Sequence, residues 1–314
     1  MISRAIVTGG AGFIGSHLVG RLVDEGSEVL VIDDLSSGKL ERLVEARATG
    51  AVNFHQMDIR ADELSDVVGH FRPEVVFHQA AQIDLRKSVV EPALDASINV
   101  VGTVNVLHAA VQAGAERFVF ASSGGATYGD VDVFPTPETV PRVPESPYGV
   151  AKKVADDYMG YFSRAFDLDF MSLGYSNVYG PAQDPHGEAG VVAIFTKKLL
   201  AGETPTIFGN GTARRDYVYV SDVADACIRA AVRGGNRYLN IATGIETSVN
   251  ELLGMLLELT GSDVAPIYAD AKPGDLERSV LDVTAAKEHL GWQPWTSLED
   301  GLAATVDYFR SHDI

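Results

Sequence analysis

The chain has 314 residues, 46% of them hydrophobic and 22% charged, which suits a globular protein of one large domain with a smaller lobe, or of two domains. A formal net charge of −18 with no block of clustered lysines and arginines excludes a nucleic-acid-binding surface. Cys227 is the only cysteine, so no intrachain disulfide or cysteine-based metal site is expected, and the eight histidines show no paired ligand spacing.

Residues 5–8 read as a first strand, followed by a helix opening near Ser16. Further strands are expected at 28–33, 52–57, 75–78 (after the helix breaker Pro73) and 117–122, the last preceded by a helix over 92–113. A long helix over about 147–166 leads into a strand over 168–175. No run approaches the roughly 18 apolar residues of a membrane span, and the amino-terminal residues enter a strand at once, so neither a membrane contact nor a signal peptide is expected and the location is read as cytoplasmic. Short β-branched runs alternating with helices predict an α/β fold with a doubly wound, Rossmann-type parallel sheet, covered on both faces, its ligands lying beyond the carboxyl ends of the strands. The breaker-rich stretch from Gly180 to Gly187 marks a change of texture. The expected division is a dinucleotide domain over 1–177, with elements near 215–245 (strands at 216–220 and 238–241) returning to it, and a smaller substrate lobe over 178–314.

Gly9, Gly12 and Gly15 form a GxxGxxG turn directly between a strand and a helix. Glycine permits the tight turn, lets the backbone approach a pyrophosphate and lets helix pack on strand. The free N–H groups of the helix start then face the phosphates. Asp33 lies 18 positions past Gly15, at the end of the second strand. There it can accept both hydroxyls of an adenine ribose and repel a 2′-phosphate, which favours NAD over NADP. Asp58 and Ile59 are placed to meet the adenine, and Ala80, Ala81 and Gln82 to line the middle of the cofactor. Tyr148 and Lys152, four apart near the start of a helix, share one face. An ammonium beside the phenol, together with an oxidised nicotinamide, would make Tyr148 a usable base near neutrality.

The chain resembles the extended short-chain dehydrogenase/reductase family in its UDP-glucose 4-epimerase branch. The likeness is carried, in family order, by Thr8-Gly-Gly-Ala-Gly-Phe-Ile-Gly-Ser16, Asp33-Asp-Leu-Ser-Ser-Gly-Lys39, His78-Gln-Ala-Ala81, Asn99-Val-Val-Gly-Thr-Val-Asn105, Ser122-Ser-Gly-Gly-Ala-Thr-Tyr-Gly129, Ser146-Pro-Tyr-Gly-Val-Ala-Lys152, Asn177-Val-Tyr-Gly-Pro181 and Arg215-Asp-Tyr-Val-Tyr-Val220. It implies a tightly held NAD, contacted by Phe13 and Ile14 of the glycine turn, by Asp34, Ser36, Ser37 and Gly38 beside Asp33, and by Gln79, Asn99, Ser122, Tyr175, Asn177 and Val178 around the nicotinamide half. It implies that Tyr148 takes the proton of a sugar hydroxyl while hydride leaves the same carbon, and that Lys152 lowers the phenol's pKa and holds the nicotinamide ribose. The position of the family's catalytic Ser/Thr is Gly124 here, so the nearest hydroxyl, Ser123, is assigned that role, with Ser122 next and Thr127 as a further alternative.

Relatives that dehydrate or decarboxylate carry acidic residues where this chain has Gly124 and Gly125. Glycine supplies neither acid nor base, so pure epimerisation is expected, in a pocket widened by the missing side chains. The resemblance implies a UDP-sugar substrate, with the diphosphate at Arg215 and Lys272, the uridine at Asp275, Thr206 and Phe208, and further contacts from Leu85, Arg86, Val191 and Val192. The family's gate position is Ser279, next to Arg278. A small gate admits an N-acetyl group or a C6 carboxylate, which Arg278 or Arg86 would pair. UDP-glucose/UDP-galactose is ranked first, UDP-glucuronate/galacturonate second and N-acetylhexosamines third. A non-catalytic NAD-binding regulator is the alternative from another class. Relatives pair through the helices here carrying Val100 to Val111 and Val150 to Tyr161, which implies a homodimer.

Overall fold

The computed structural model describes residues 2–186, 190–271 and 276–312. Six strands arise in the first half: β1 (Arg4–Thr8), β2 (Glu28–Asp33), β3 (Val52–Gln56), β4 (Val75–His78), β5 (Arg117–Ser123) and β6 (Asp169–Tyr175). With the Arg237–Ile241 strand they form one parallel sheet in the order Arg237–Ile241, β6, β5, β4, β1, β2, β3. The order reverses between β1 and β4, which opens a crevice at their carboxyl ends.

Burial on both faces explains why these strands are almost continuously apolar. In β1, Ala5 and Val7 point into a cluster with Leu18, Val29 and Val31, whereas Ile6 points into the opposite cluster with Phe118 and Phe120. The strands at 28–33 and 75–78 and the helix at 147–166 have the bounds read from the sequence. The first helix, Phe13–Asp24, opens three residues before Ser16. Gly12 is its N-cap, and the Ser16 N–H donates to Gly12 O at 3.0 Å, closing the first turn rather than starting it.

The helix expected over 92–113 is three pieces: Pro92–Ala96, a π-helical turn over Ser97–Gly102, and Thr103–Gln112. By length and composition the run Pro92–Gln112 could cross a membrane. Here Val106, Leu107, Ala109 and Ala110 are buried against the sheet, as in the core helix of a globular domain. The π turn buries Asn99 and Gly102.

Of the two strands expected to return to the dinucleotide domain, the one at 238–241 joins the main sheet and the one at 216–220 does not. The latter is the Arg214–Tyr219 strand of a second, small sheet with Glu246–Ser248, Arg278–Ser279 and β7 (Asn177–Tyr179). The position beside β6 in the main sheet is taken by Arg237–Ile241. The helix that follows, Val220–Val232, packs Val223, Ala226, Cys227 and Ala230 against Leu18, Val19 and Leu22 of the first helix. A separate apolar cluster of Tyr179, Val192, Phe195, Ile207, Leu252 and Leu302 forms the core of the smaller part.

Candidate active site

The glycine turn is built by steric necessity. Gly9 has φ +68°, and a Cβ there would stand 2.6 Å from Ala80 N, across the crevice between β1 and β4. A Cβ on Gly15 would stand 2.1 Å from Gly9 O. Gly12 caps the first helix without a side-chain hydrogen bond, which leaves its first N–H groups for a ligand. Asp33 is buried and takes the Ala11 and Leu35 N–H groups at 2.9 Å on its two oxygens. Burial raises its pKa, against those two hydrogen bonds. Gly38 folds back on it, since a Cβ there would lie 2.6 Å from Asp33 Oδ1. Asp34 accepts from Ser36, and Ser37 is exposed beside them. Asp58 is drawn to Arg60, whose hydrogen bond lowers its pKa. The Ile59 side chain is buried in the core near Gly102, so any adenine contact from it is left to its backbone.

A buried polar chain runs from this turn toward the Pro147–Phe166 helix. Thr8 Oγ1 lies 2.6 Å from His78 Nδ1, His78 Nε2 lies 3.0 Å from Thr103 Oγ1, and Thr103 Oγ1 donates to Asn99 O at 2.7 Å. Asn99 and Gln82 exchange two hydrogen bonds of 2.9 Å, and both donate to Asp95 Oδ1. Burial, with the charge of Lys152 acting the same way, pushes His78 down to about 3, so it is a neutral, packed histidine. Thr8, Thr103 and Asp95 were not among the residues singled out in the sequence. Asp95 and Asn99 enter this chain from either side of the junction between the Pro92–Ala96 helix and the π turn, which apolar periodicity does not reveal.

Lys152 is 3% exposed; its Nζ donates to Ala121 O at 2.8 Å and stands 5.7 Å from the centre of the Tyr148 ring. Burial lowers it to about 8, against the charges of Asp95 and Asp156. Tyr148 is held well above its ordinary pKa, by burial first and then by Asp95, while a hydrogen bond with Ser123 works the other way. Burial and Asp95 thus work against ionising the phenol, and a positive charge beside it would work the other way. Of the hydroxyls considered, Ser123 is the one that acts on the Tyr148 phenol, lowering its pKa. It ends β5 and caps the Gly124–Tyr128 helix through Ala126 N–H at 3.3 Å. Thr127 is turned back onto Ser123 O at 2.6 Å, and the buried Ser122 Oγ has no partner. Gln79 and Tyr175 sit together, with Gln79 Nε2 3.3 Å from Tyr175 Oη, and Ala81 is half-buried nearby in the chain.

On the substrate side, the register of the small sheet pairs Arg215 with both Thr247 and Ser279, and Asn177 with Tyr217. Alternation then sets Asn177, Arg215 and Ser279 on one face. A Cβ on Gly124 would meet Leu281 Cδ1 at 2.3 Å. The expected widening at Gly124 is thus absent: Leu281 occupies the space. A Cβ on Gly125 would meet nothing closer than Ser279 Oγ. Arg278 donates its Nε to Glu246 and holds its guanidinium 4.5 Å above Phe134, on the rim of the cavity lined by Gly125 and Ser279. Leu85 and Arg86 are exposed on the Leu85–Val90 helix, which packs on the Pro147–Phe166 helix. Val191 and Val192 open the Val191–Leu200 helix, which has no side-chain cap; the Val192 side chain is buried in the lobe's core, leaving backbone N–H groups to a ligand. Val178 is half-buried and its carbonyl accepts from Gln183. Thr206 and Phe208 flank the buried Ile207 on a short strand paired with Ile267–Ala269. Lys272 and Asp275 lie outside the described residues.

A family model described as the NAD dependent epimerase/dehydratase family matches residues 5–242. The UDP-glucose 4-epimerase of Mycolicibacterium smegmatis is 47% identical over 309 residues, covering 98% of this chain and 99% of that one. The crystal structure of UDP-glucose 4-epimerase with UDP-glucose from Thermotoga maritima is 49% identical, with a TM-score of 0.95, covering 98% of this chain and 99% of the other. That of the Thermus thermophilus UDP-glucose 4-epimerase in complex with NAD is 42% identical, with a TM-score of 0.91 and the same coverage.

Proposed function

The chain belongs to the NAD-dependent epimerase/dehydratase family, and from that premise we propose that it is an isomerase that inverts C4 of a UDP-hexose, with UDP-glucose and UDP-galactose as the first pair. The observation that carries the reading is the convergence of Ser123, Tyr148 and Lys152 beside a glycine turn shaped for a dinucleotide.

The fit to NAD rests on the tight turn that only glycine permits at Gly9 and Gly15, the open helix start at Gly12–Gly15, the carboxylate of Asp33 and the orphaned Ser122 hydroxyl. Bound NAD supplies the hydride acceptor and donor, and a positive charge. Tyr148 holds and returns the proton of the sugar's C4 hydroxyl, Ser123 shares that hydrogen bond, and Lys152 supplies the cationic side of the pair. The second face of C4 becomes available when the oxidised sugar turns over within the cleft. Gly124 and Gly125 offer no acid or base that would eliminate water from the sugar. The nucleotide's diphosphate fits Arg215 and the open start of the Val191–Leu200 helix, and the small Gly125–Ser279 pair leaves room for a substituent on the hexose. That room favours UDP-glucuronate or an N-acetylhexosamine as the second substrate class.

A homodimer is the assembly we favour. Val101, Val150, Tyr158 and Tyr161, on the helices that relatives use for pairing, are 58%, 46%, 39% and 52% exposed. Sedimentation of the protein as a monomer at micromolar concentration would remove this part of the reading.

The decisive experiment incubates the purified protein, without added cofactor, with UDP-glucose and separately with UDP-glucuronate, and resolves the products. Formation of a single 4-epimer is expected. No conversion of either, nor of an N-acetylhexosamine, with NAD added, would leave only a non-catalytic NAD-binding protein.

A further inference from the structure

Asp95 is a charged side chain placed where a neutral one would serve the packing equally well. It is 1% exposed, on the Pro92–Ala96 helix that faces the Pro147–Phe166 helix. Its Oδ1 accepts from Gln82 Nε2 at 3.0 Å and from Asn99 Nδ2 at 2.8 Å, while Oδ2 is buried with no hydrogen-bond partner. An asparagine oxygen would accept the same two bonds, so the hydrogen bonding does not call for an acid. A buried carboxylate with an unused oxygen is unfavourable unless a cation balances it.

Burial raises the Asp95 carboxyl above its ordinary range, and the cation that works against this is Lys152, on the helix packed against its own, without a direct ion pair between the two. The Lys152 ammonium is buried and donates to Ala121 O, and the carboxylate and the ammonium act on each other electrostatically. The same carboxylate acts on Tyr148. The other groups acting on Lys152 are weaker candidates for this role. Asp156, one turn further along the same helix, is engaged by Arg142. His78, from β4, is neutral. The Leu85–Val90 helix contributes only the exposed Arg86 and Lys87, and the Gly124–Tyr128 helix only Tyr128, which is turned to Asn240.

We propose that Asp95 is the counter-charge of the Tyr148–Lys152 pair, a positioning residue whose ionised carboxylate, held by Gln82 and Asn99, keeps the buried Lys152 ammonium charged and sets the pH range over which the pair works. The proposal rests on Tyr148 and Lys152 being the catalytic pair. An anion favours the protonated form of every group near it, so removing it moves both neighbours the same way, toward acid.

The test is the pH–rate profile of UDP-glucose conversion for Asp95→Asn, which keeps the shape and the two accepted hydrogen bonds. Both limbs are expected to move to lower pH together, by about one pH unit, with KM for the sugar nearly unchanged. The Tyr148 phenolate, read as the absorbance difference between Asp95→Asn and Asp95→Asn/Tyr148→Phe, should form at correspondingly lower pH. Asp95→Ala, which loses the acceptor as well, separates scaffolding from charge. Loss of turnover in the alanine variant with an unmoved profile in the asparagine variant overturns the proposal, as do limbs that move in opposite directions. Wild-type turnover in Tyr148→Phe alone would overturn the underlying pair assignment instead.

Discussion

Ser279 Oγ lies 3.6 Å from the point where a Cβ on Gly125 would stand, so two small residues face each other beside Arg215. The arrangement puts two small residues, with about a methyl group's room between them, at the substrate side of Ser123. Ser279→Tyr fills that room. For a sugar with a C2 acetamido or C6 carboxylate group, kcat/KM is expected to fall by about tenfold or more, and for UDP-glucose much less. Equal losses for all sugars, in parallel assays, would place the sugar away from this pair.

Gly124 and Leu281 share one volume. Gly124→Ser overpacks it and is expected to cost about 1–3 kcal/mol in urea denaturation. Leu281→Ala alone leaves a cavity and costs about 2–5 kcal/mol. The two together should cost less than their sum, because the serine enters the space the leucine vacates. Additive losses would show that the two sites are independent.

Lys152 is buried at the expense of stability. Its pKa is about 8 in the fold against 10.5 ordinarily. A lysine depressed in this way binds its proton more readily in the unfolded chain, so this group's contribution to stability is least below pH 8 and rises with pH toward 10.5. The difference corresponds to roughly 3 kcal/mol. Lys152→Met removes this penalty but leaves the buried Asp95 carboxylate unbalanced, and turnover is lost. The Tm of the variant relative to wild type should fall as the pH is raised from 7 to above 8, because only wild type gains from loss of the lysine's proton; a Tm difference independent of pH would contradict the sign.

Tyr148→Phe removes the proton carrier and leaves the ring. Turnover of UDP-glucose should drop by about 10³-fold, with the content of retained NAD, measured after denaturing release, close to that of wild type. Retained turnover would transfer the acid–base role to another group.

The main sheet was legible because short, continuously apolar runs and helix punctuation are local signals: 28–33 and 75–78 could be bounded from β-branched runs, and 147–166 from Pro147 and a continuous helical pattern. Gly9, Gly15 and Asp33 were legible for the same reason, their roles following from a turn that the neighbouring strand and helix announce. What the sequence hid depends on distant partners. The Arg214–Tyr219 strand looks like any other, and only its pairing with 177–179, 246–248 and 278–279 assigns it to a second sheet. Gly124 looks like an opening until Leu281, far along the chain, fills it. Asp95 looks like an ordinary helix acid, because a π turn leaves no mark in hydrophobic spacing.

That turn, over Ser97–Gly102, makes the segment a counted one. Each residue advances a helix by about 100°. Excising one residue to restore regular α geometry would leave Thr103–Gln112 seated on the sheet and swing everything before it through that angle, carrying Asp95 away from Lys152. Substitutions on the outer surface of this stretch are neutral to the design, whereas an insertion or deletion of one is a change of mechanism. In fragment exchange between homologues, the number of residues between Pro92 and Thr103 is the quantity to preserve.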